Sequence, residues 1–240
     1  MKIVTIIPAR IGSTRLQEKP LVLIENQPMV IATAEKAKKA QIGPVIIACD
    51  DVRVVELCKQ YNYRYIMTRP DFLTGSDRVY EAYKALGEDF DWILNLQGDM
   101  PKIQPSTIKA LAESVQRAGK ADILTAITNF KNKEEQEDLS NVSAIVAHGQ
   151  KDKLSLGDLV QALYFTRTAT PYPSSLYKHL GLYLYKKSAL ESFIKLPQSR
   201  LELEEKLEQL RALENGLTIS CLFVNDSVVS VDTEKDLLLL

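Results

Sequence analysis

The run Ile3-Val4-Thr5-Ile6-Ile7 ends at Pro8 and opens directly into Ala9-Arg10-Ile11-Gly12-Ser13-Thr14-Arg15-Leu16-Gln17-Glu18-Lys19-Pro20-Leu21. A short apolar run rich in β-branched residues and bounded by proline predicts a buried central strand. In an open α/β sheet, the loop that follows the first strand lies at the strands' carboxyl end, where ligands bind. Arg10, Arg15 and Lys19 can converge there on one phosphate chain, with backbone N–H groups near Gly12 and Ser13 as further donors. The loop has neither the Gly-x-Gly-x-x-Gly of dinucleotide sites nor the Gly-Lys-Ser/Thr of P-loops, so neither a dehydrogenase nor a P-loop kinase is favoured.

The chain has 240 residues, 45% hydrophobic and 25% charged. That suffices for one sizeable α/β domain with a subsidiary lobe, and disorder is not expected. A formal net charge of -1 provides no general attraction to nucleic acid or anionic membrane. Polyanion binding must therefore come from a local cluster, which suits a small charged metabolite better than DNA. No apolar run approaches the roughly 20 residues that span a bilayer, so the expectation is a soluble, cytoplasmic protein. Cys49, Cys58 and Cys221 are odd in number and form no Cys-x-x-Cys, which predicts buried free thiols in place of a disulfide framework or zinc site.

Periodicity predicts helices over 28–40, 51–61, 76–86 and 105–118, alternating with strands over 45–49, 65–68, 92–96 and 123–128. The fold class is α/β, a doubly wound and mostly parallel sheet. Residues 131–138 are highly charged and 149–158 polar, so both read as exposed loops. Strands near 144–148, 162–165 and 180–185 are expected to form a smaller accessory sheet. A long helix is predicted over 202–214, stopping at Asn215-Gly216, then a strand over 218–224. A last helix begins near Thr233, with Asp236 three residues on as a capping-box partner.

Two acids stand out. Asp99 follows a buried strand within Leu94-Asn95-Leu96-Gln97-Gly98-Asp99-Met100-Pro101, and Gly98 permits close backbone approach. An Asp facing a basic phosphate loop makes a coherent magnesium site, since magnesium favours one or two carboxylates plus phosphate oxygens. Turn capping is the alternative use of Asp99. Asp232, at a strand-to-helix junction, is a second candidate ligand, or else an acid drawn to the helix start.

The opening loop resembles that of the sugar nucleotidyltransferases, most closely the 3-deoxy-manno-octulosonate cytidylyltransferase family, which makes CMP-Kdo. Thr74-Gly75-Ser76-Asp77-Arg78, Gln97-Gly98-Asp99, Tyr164-Phe165-Thr166-Arg167, His179-Leu180-Gly181-Leu182-Tyr183, Leu207-Glu208-Gln209-Leu210-Arg211 and Val231-Asp232-Thr233 resemble that family's motifs, in order. The resemblance implies a Rossmann-like nucleotidyltransferase domain spanning 1–240, with a sugar-binding and dimerisation lobe near 130–186. It implies magnesium-dependent transfer of CMP from CTP to a 3-deoxy-2-ulosonic acid for lipopolysaccharide or capsule synthesis. Asp99 and Asp232 would hold Mg2+. Arg10, Arg15 and Lys19 would hold the CTP phosphates, while Ala9, Thr74, Gly75 and Ser76 would read cytosine. Arg78, Gln97, Arg167, His179, Tyr183, Glu208 and Gln209 would line the sugar-acid pocket.

Read from periodicity alone, those pocket residues have other uses. His179 and Tyr183 share a strand face and can be core. Glu208 and Gln209 can be a solvated helix face, and Arg78 and Arg167 surface ion-pair partners. The chain also departs from the family: Met100 stands where an acid is usual, and Asn141-Val142-Ser143-Ala144 lacks the usual lysine. Residues 171–179 form a shorter segment, and Val228 to Ser230 replace a more Gly-rich approach to Asp232. The phosphate and metal apparatus is left intact while the exact sugar stays open, so a cytidylyltransferase for another acidic sugar is one alternative. A non-catalytic sugar-nucleotide-binding paralogue is another.

Overall fold

Strand β1 (Ile3–Ala9) is buried almost throughout, because it is flanked on both sides by parallel partners, β4 (Val45–Cys49) and β6 (Trp92–Asn95). A strand covered in this way needs apolar residues on both faces, hence an unbroken run in place of alternation. The computed structural model describes residues 1–13, 15–72, 74–149, 152–168, 176–226 and 230–238. It divides into two units, Met1–Ala112 with Ser227–Leu240, and Glu113–Asp226.

In the first unit the strand order is β5-β4-β1-β6, all parallel, with β5 at Arg64–Met67. Helices α1 (Met29–Ala40), α2 (Val52–Gln60) and α3 (Gly75–Leu86) connect these strands in the expected alternation. Thr74 caps α3 through a capping box with Asp77, satisfying first-turn N–H groups. Leu23–Ile24 (β2) and Gln27–Pro28 (β3) form a two-stranded antiparallel sheet, the small accessory sheet of this fold. Leu16, Ile24, Met29 and Val231 form a buried cluster with Val22 and Leu237 packed against it. That cluster joins the opening loop to the chain's final segment.

The second unit receives the end of α4 (Pro105–Ser114) and contains β7 (Ile123–Thr128), α5 (Lys133–Glu137), β8 (Ser143–Val146), β9 (Leu159–Thr166), β10 (Tyr177–Lys186), α6 (Lys187–Phe193), α7 (Arg200–Glu205), α8 (Gln209–Glu214) and β11 (Ile219–Phe223). Strand order is β10-β7-β11-β9-β8, with β8 also bonded to β10. Only β7 and β11 are parallel; the β10–β7, β11–β9, β8–β9 and β10–β8 pairs are antiparallel. The fold is mixed α/β, with parallel pairs in the first unit and at β7–β11.

Three expectations are corrected here. The strands near 144–148, 162–165 and 180–185 do not make a separate sheet, because β10 and β9 bond to β7 and β11. Residues 131–138 are not all loop: Asn132 accepts from Glu135 N–H and starts the short helix α5. The helix expected over 202–214 is two helices. Lys206 adopts φ 57° and ends α7, and Glu202 turns back to bind Arg211 of α8 at 2.5 and 2.7 Å. The last helix, α9 (Glu234–Leu237), follows the Thr233–Asp236 capping box as expected.

Candidate functional site

In the first unit, the loop after β1 and the turn after β6 face a common cleft of about 250 Å³. Ala9, Arg10, Arg15, Lys19, Thr74, Gly75, Arg78, Gln97, Asp99 and Asp232 all line it. The acid turn is held by close packing. A Cβ on Gly98 would lie 3.0 Å from Pro8 O, and Thr33 Oγ1 donates to Gly98 O at 3.1 Å. Val231 N donates to Asp99 O at 3.0 Å, which brings the neighbouring Asp232 to the same place.

Lys19 Nζ lies 2.6 Å from Asp99 Oδ2 and 2.7 Å from Asp232 Oδ1, and Arg15 Nη2 reaches Asp232 Oδ1 at 3.0 Å. The ammonium is 15% exposed and the two carboxylates 20% and 32%, so these charges are partly shielded from water. Burial pushes the Asp99 carboxyl above its usual range, and the neighbouring Asp232 adds to the rise, while Lys19 pulls it down. The site thus sets two carboxylates around one shared cation.

Gln97 donates to Asn95 Oδ1 at 3.1 Å, and Asn95 in turn donates to Ser76 Oγ at 3.2 Å. The Thr74 hydroxyl is committed to Asp77. Arg78 is no surface ion-pair partner: its side chain is 2% exposed, and it donates to Asp50, Thr68 and Arg69 O. Asp50 was not legible as a site residue, since nothing local distinguishes it from Asp51, which merely caps α2.

Arg167, His179, Tyr183, Glu208 and Gln209 fall in the second unit. Thr125 Oγ1 donates to Leu182 O at 2.7 Å and lies 2.8 Å from His179 Nε2. With its one proton spent, that hydroxyl accepts, so His179 carries its proton on Nε2. Burial holds the imidazole's pKa down at about 3, so His179 is a neutral donor and not a cation. Its ring is 5.4 Å from that of Tyr183, across a β-bulge where Gly181 takes φ 73°. Tyr183 donates to Gln209 Oε1 at 3.0 Å. Gln209 is 3% exposed, which overturns the solvated-face alternative, and its Nε2 is buried with no hydrogen-bond partner among the described residues. Arg167 donates to Leu139 O and Ser140 O. Of the departures from the family pattern, Met100 and Ala144 are both fully buried, and residues 171–175 and 228–229 lie outside the described residues.

A family profile described as Cytidylyltransferase matches residues 4–219. A 3-deoxy-manno-octulosonate cytidylyltransferase of Paramagnetospirillum magneticum is 40% identical over 237 residues, 98% of this chain and 94% of the relative. The chain belongs to the 3-deoxy-manno-octulosonate cytidylyltransferase family. A family member of the same description from Brucella suis is 43% identical over 240 residues, 99% of this chain and 93% of its own. The solved structure of a CMP:2-keto-3-deoxy-manno-octonic acid synthetase complexed with CTP superposes with a TM-score of 0.87 at 33% identity, covering 100% of this chain and 98% of that one. A cytidylyltransferase from Leptospira borgpetersenii shares the fold, with a TM-score of 0.63 at 16% identity. Among the described residues, no helix is long and apolar enough to cross a membrane.

Proposed function

We propose that this protein transfers CMP from CTP to the anomeric hydroxyl of 3-deoxy-manno-octulosonate or a close ulosonic acid. The hydroxyl oxygen attacks the α-phosphorus, the bond to the β-phosphate oxygen breaks, and pyrophosphate leaves. The observation that carries this reading is the pair Asp99 and Asp232 closing on one cation inside a cleft lined by Arg10 and Arg15.

Two carboxylate oxygens aimed at one point, with room beside them for phosphate, fit a magnesium ion. Asp99 and Asp232 are the residues that would hold it. Bound there, magnesium would offset the negative charge of the triphosphate and make the attacking hydroxyl more acidic. Arg10, Arg15 and Lys19 bind the phosphate chain and stabilise charge as pyrophosphate departs, which is where positioning and electrostatics supply most of such a catalysis. The incoming triphosphate gives Arg15 and Lys19 an anion to replace the carboxylates they now hold. Ala9 and the first turn of α3 at Thr74, Gly75 and Ser76 are assigned to cytosine.

In the second unit, Arg167 is the cation for the sugar carboxylate, and His179, Tyr183, Glu208 and Gln209 are assigned to its hydroxyls. The buried Nε2 of Gln209, which has no partner among the described residues, supports a polar ligand there, since such a donor is costly left unpaired. A CTP substrate and three buried free cysteines suit the cytoplasm. Pairing of two copies through the second unit would cover exposed leucines such as Leu156 and Leu163, 74% and 55% exposed.

The test is pyrophosphate release with a panel of nucleoside triphosphates and sugar acids in the presence of magnesium. Turnover confined to CTP with Kdo or an eight-carbon relative is expected. Turnover with a neutral hexose phosphate, or none with any ulosonic acid, would overturn the reading.

A further inference from the structure

Asp50 follows β4 immediately, and its side chain is 5% exposed. Its Oδ1 accepts the backbone N–H of Ile11 at 3.0 Å, and its Oδ2 accepts from Arg78 Nη2 at 2.9 Å. Arg78 projects from the first turn of α3 and also donates through Nη1 to Thr68 Oγ1 at 2.5 Å and Arg69 O at 3.2 Å. Thr68 is itself pinned to Cys49 O through both its N–H and its hydroxyl. One buried carboxylate therefore ties the basic loop after β1 to α3 and to the ends of β4 and β5. Asp50 does not line the cleft.

We propose that Asp50 is a positioning residue for the nucleotide, locking the phosphate loop and the N-terminal end of α3 into one register before CTP arrives. This rests on the assignment of the loop to phosphate and of α3 to cytosine. Arg15 and Lys19 rest on Asp232 and Asp99, contacts that an incoming triphosphate would displace, so those ion pairs do not hold the loop's register through binding. Without an anchor, binding would have to order the loop, and that ordering would be subtracted from affinity. The Ile11 N–H tether sits between Arg10 and the tight turn in which Ser13 N donates to Ile11 O at 2.8 Å, so it fixes the loop at its root. A buried guanidinium also requires a charged partner. Asp50 meets both needs, and Arg78 transmits the placement to α3. On this view Arg78 acts as a strut between the two halves of the nucleotide site, in place of a contact to the sugar.

The test compares the wild type with Asp50→Asn, which keeps the volume and removes the charge, and with the double variant Asp50→Asn/Arg78→Met, which removes the buried charge on both sides. Direct CTP binding is measured by titration calorimetry, the KM for CTP and for the sugar acid by steady-state kinetics, and folding by circular dichroism. Ordering two or three loop side chains on binding costs about tenfold to a hundredfold in affinity. Folded Asp50→Asn is expected to lose CTP affinity by about that factor while the sugar-acid KM moves less than about twofold. Should Asp50→Asn fail to fold, the double variant decides, and it is expected to fold and to bind CTP with the same loss. Wild-type CTP affinity in either folded variant would overturn the proposal, as would an equal loss for both substrates. Wild-type protein that binds CTP but turns over no ulosonic acid would remove the sugar assignment alone, whereas failure to bind CTP would remove both.

Discussion

Asp99 and Asp232, far apart in the chain, share a single ammonium: Lys19 Nζ lies 2.6 Å from one carboxylate and 2.7 Å from the other. Either Asp→Asn change halves the anionic charge at this point while keeping the side chain's shape. Turnover is expected to fall by about a hundredfold or more in each, the scale of losing a principal electrostatic contact. Far-UV circular dichroism should be unchanged.

Lys19→Met should expose the same relationship through stability. Asp99 then loses its ammonium partner while Asp232 keeps Arg15, and leaving a buried charged group without its partner costs about 1–3 kcal/mol. Denaturant unfolding in EDTA should show the loss, and saturating magnesium should recover part of it. Equal stability with and without magnesium would contradict a metal site between the two acids.

Gly98→Ala places a methyl group 3.0 Å from Pro8 O, a backbone atom that cannot swing aside. Overpacking of this kind costs about 1–3 kcal/mol. Because Asp99 is the next residue, kcat is expected to fall further than the loss of stability alone accounts for, as read from activity at temperatures where the variant is fully folded.

His179 gives a pH prediction with a definite sign. Burial holds its folded pKa at about 3, against an ordinary 6.5. The unfolded chain takes up a proton below pH 6.5 that the folded protein refuses, so stability is full above that pH and declines as pH falls toward about 3. His179→Gln should flatten the dependence of urea unfolding midpoints across that window. Tyr183→Phe, which removes the bond to Gln209, is expected to raise the KM for the sugar acid with little change for CTP.

The basic loop and Asp99 were legible as candidates because they follow β1 and β6, where an apolar run turning abruptly into charge marks the carboxyl end of a sheet; the strand expected before Asp232 is not present among the described residues, where β11 ends at Phe223. The capping box at Thr233 was equally local. Asp50 was not legible: its role depends on Arg78, a helix and a strand away, and sequence shows only two adjacent aspartates. The break at Lys206 was hidden because Leu203, Leu207 and Leu210 keep helical spacing across it, and a lysine gives no warning of a left-handed conformation. Alternation identified β8, β9 and β10 as strands, but period two says nothing about which partner a strand joins, so their incorporation beside β7 and β11 required the structure. Periodicity alone left a solvated face open for Gln209, because the packing of α8 against β9 is a tertiary fact.

The most direct measurement is phosphorus NMR of CTP mixed with Kdo, magnesium and either wild-type protein or Asp99→Asn. Wild type should convert the triphosphate signals into those of pyrophosphate and a CMP–sugar phosphodiester, and Asp99→Asn should leave CTP unchanged over the same period. A phosphodiester formed equally fast by both proteins, or none formed by the wild type, would contradict the account.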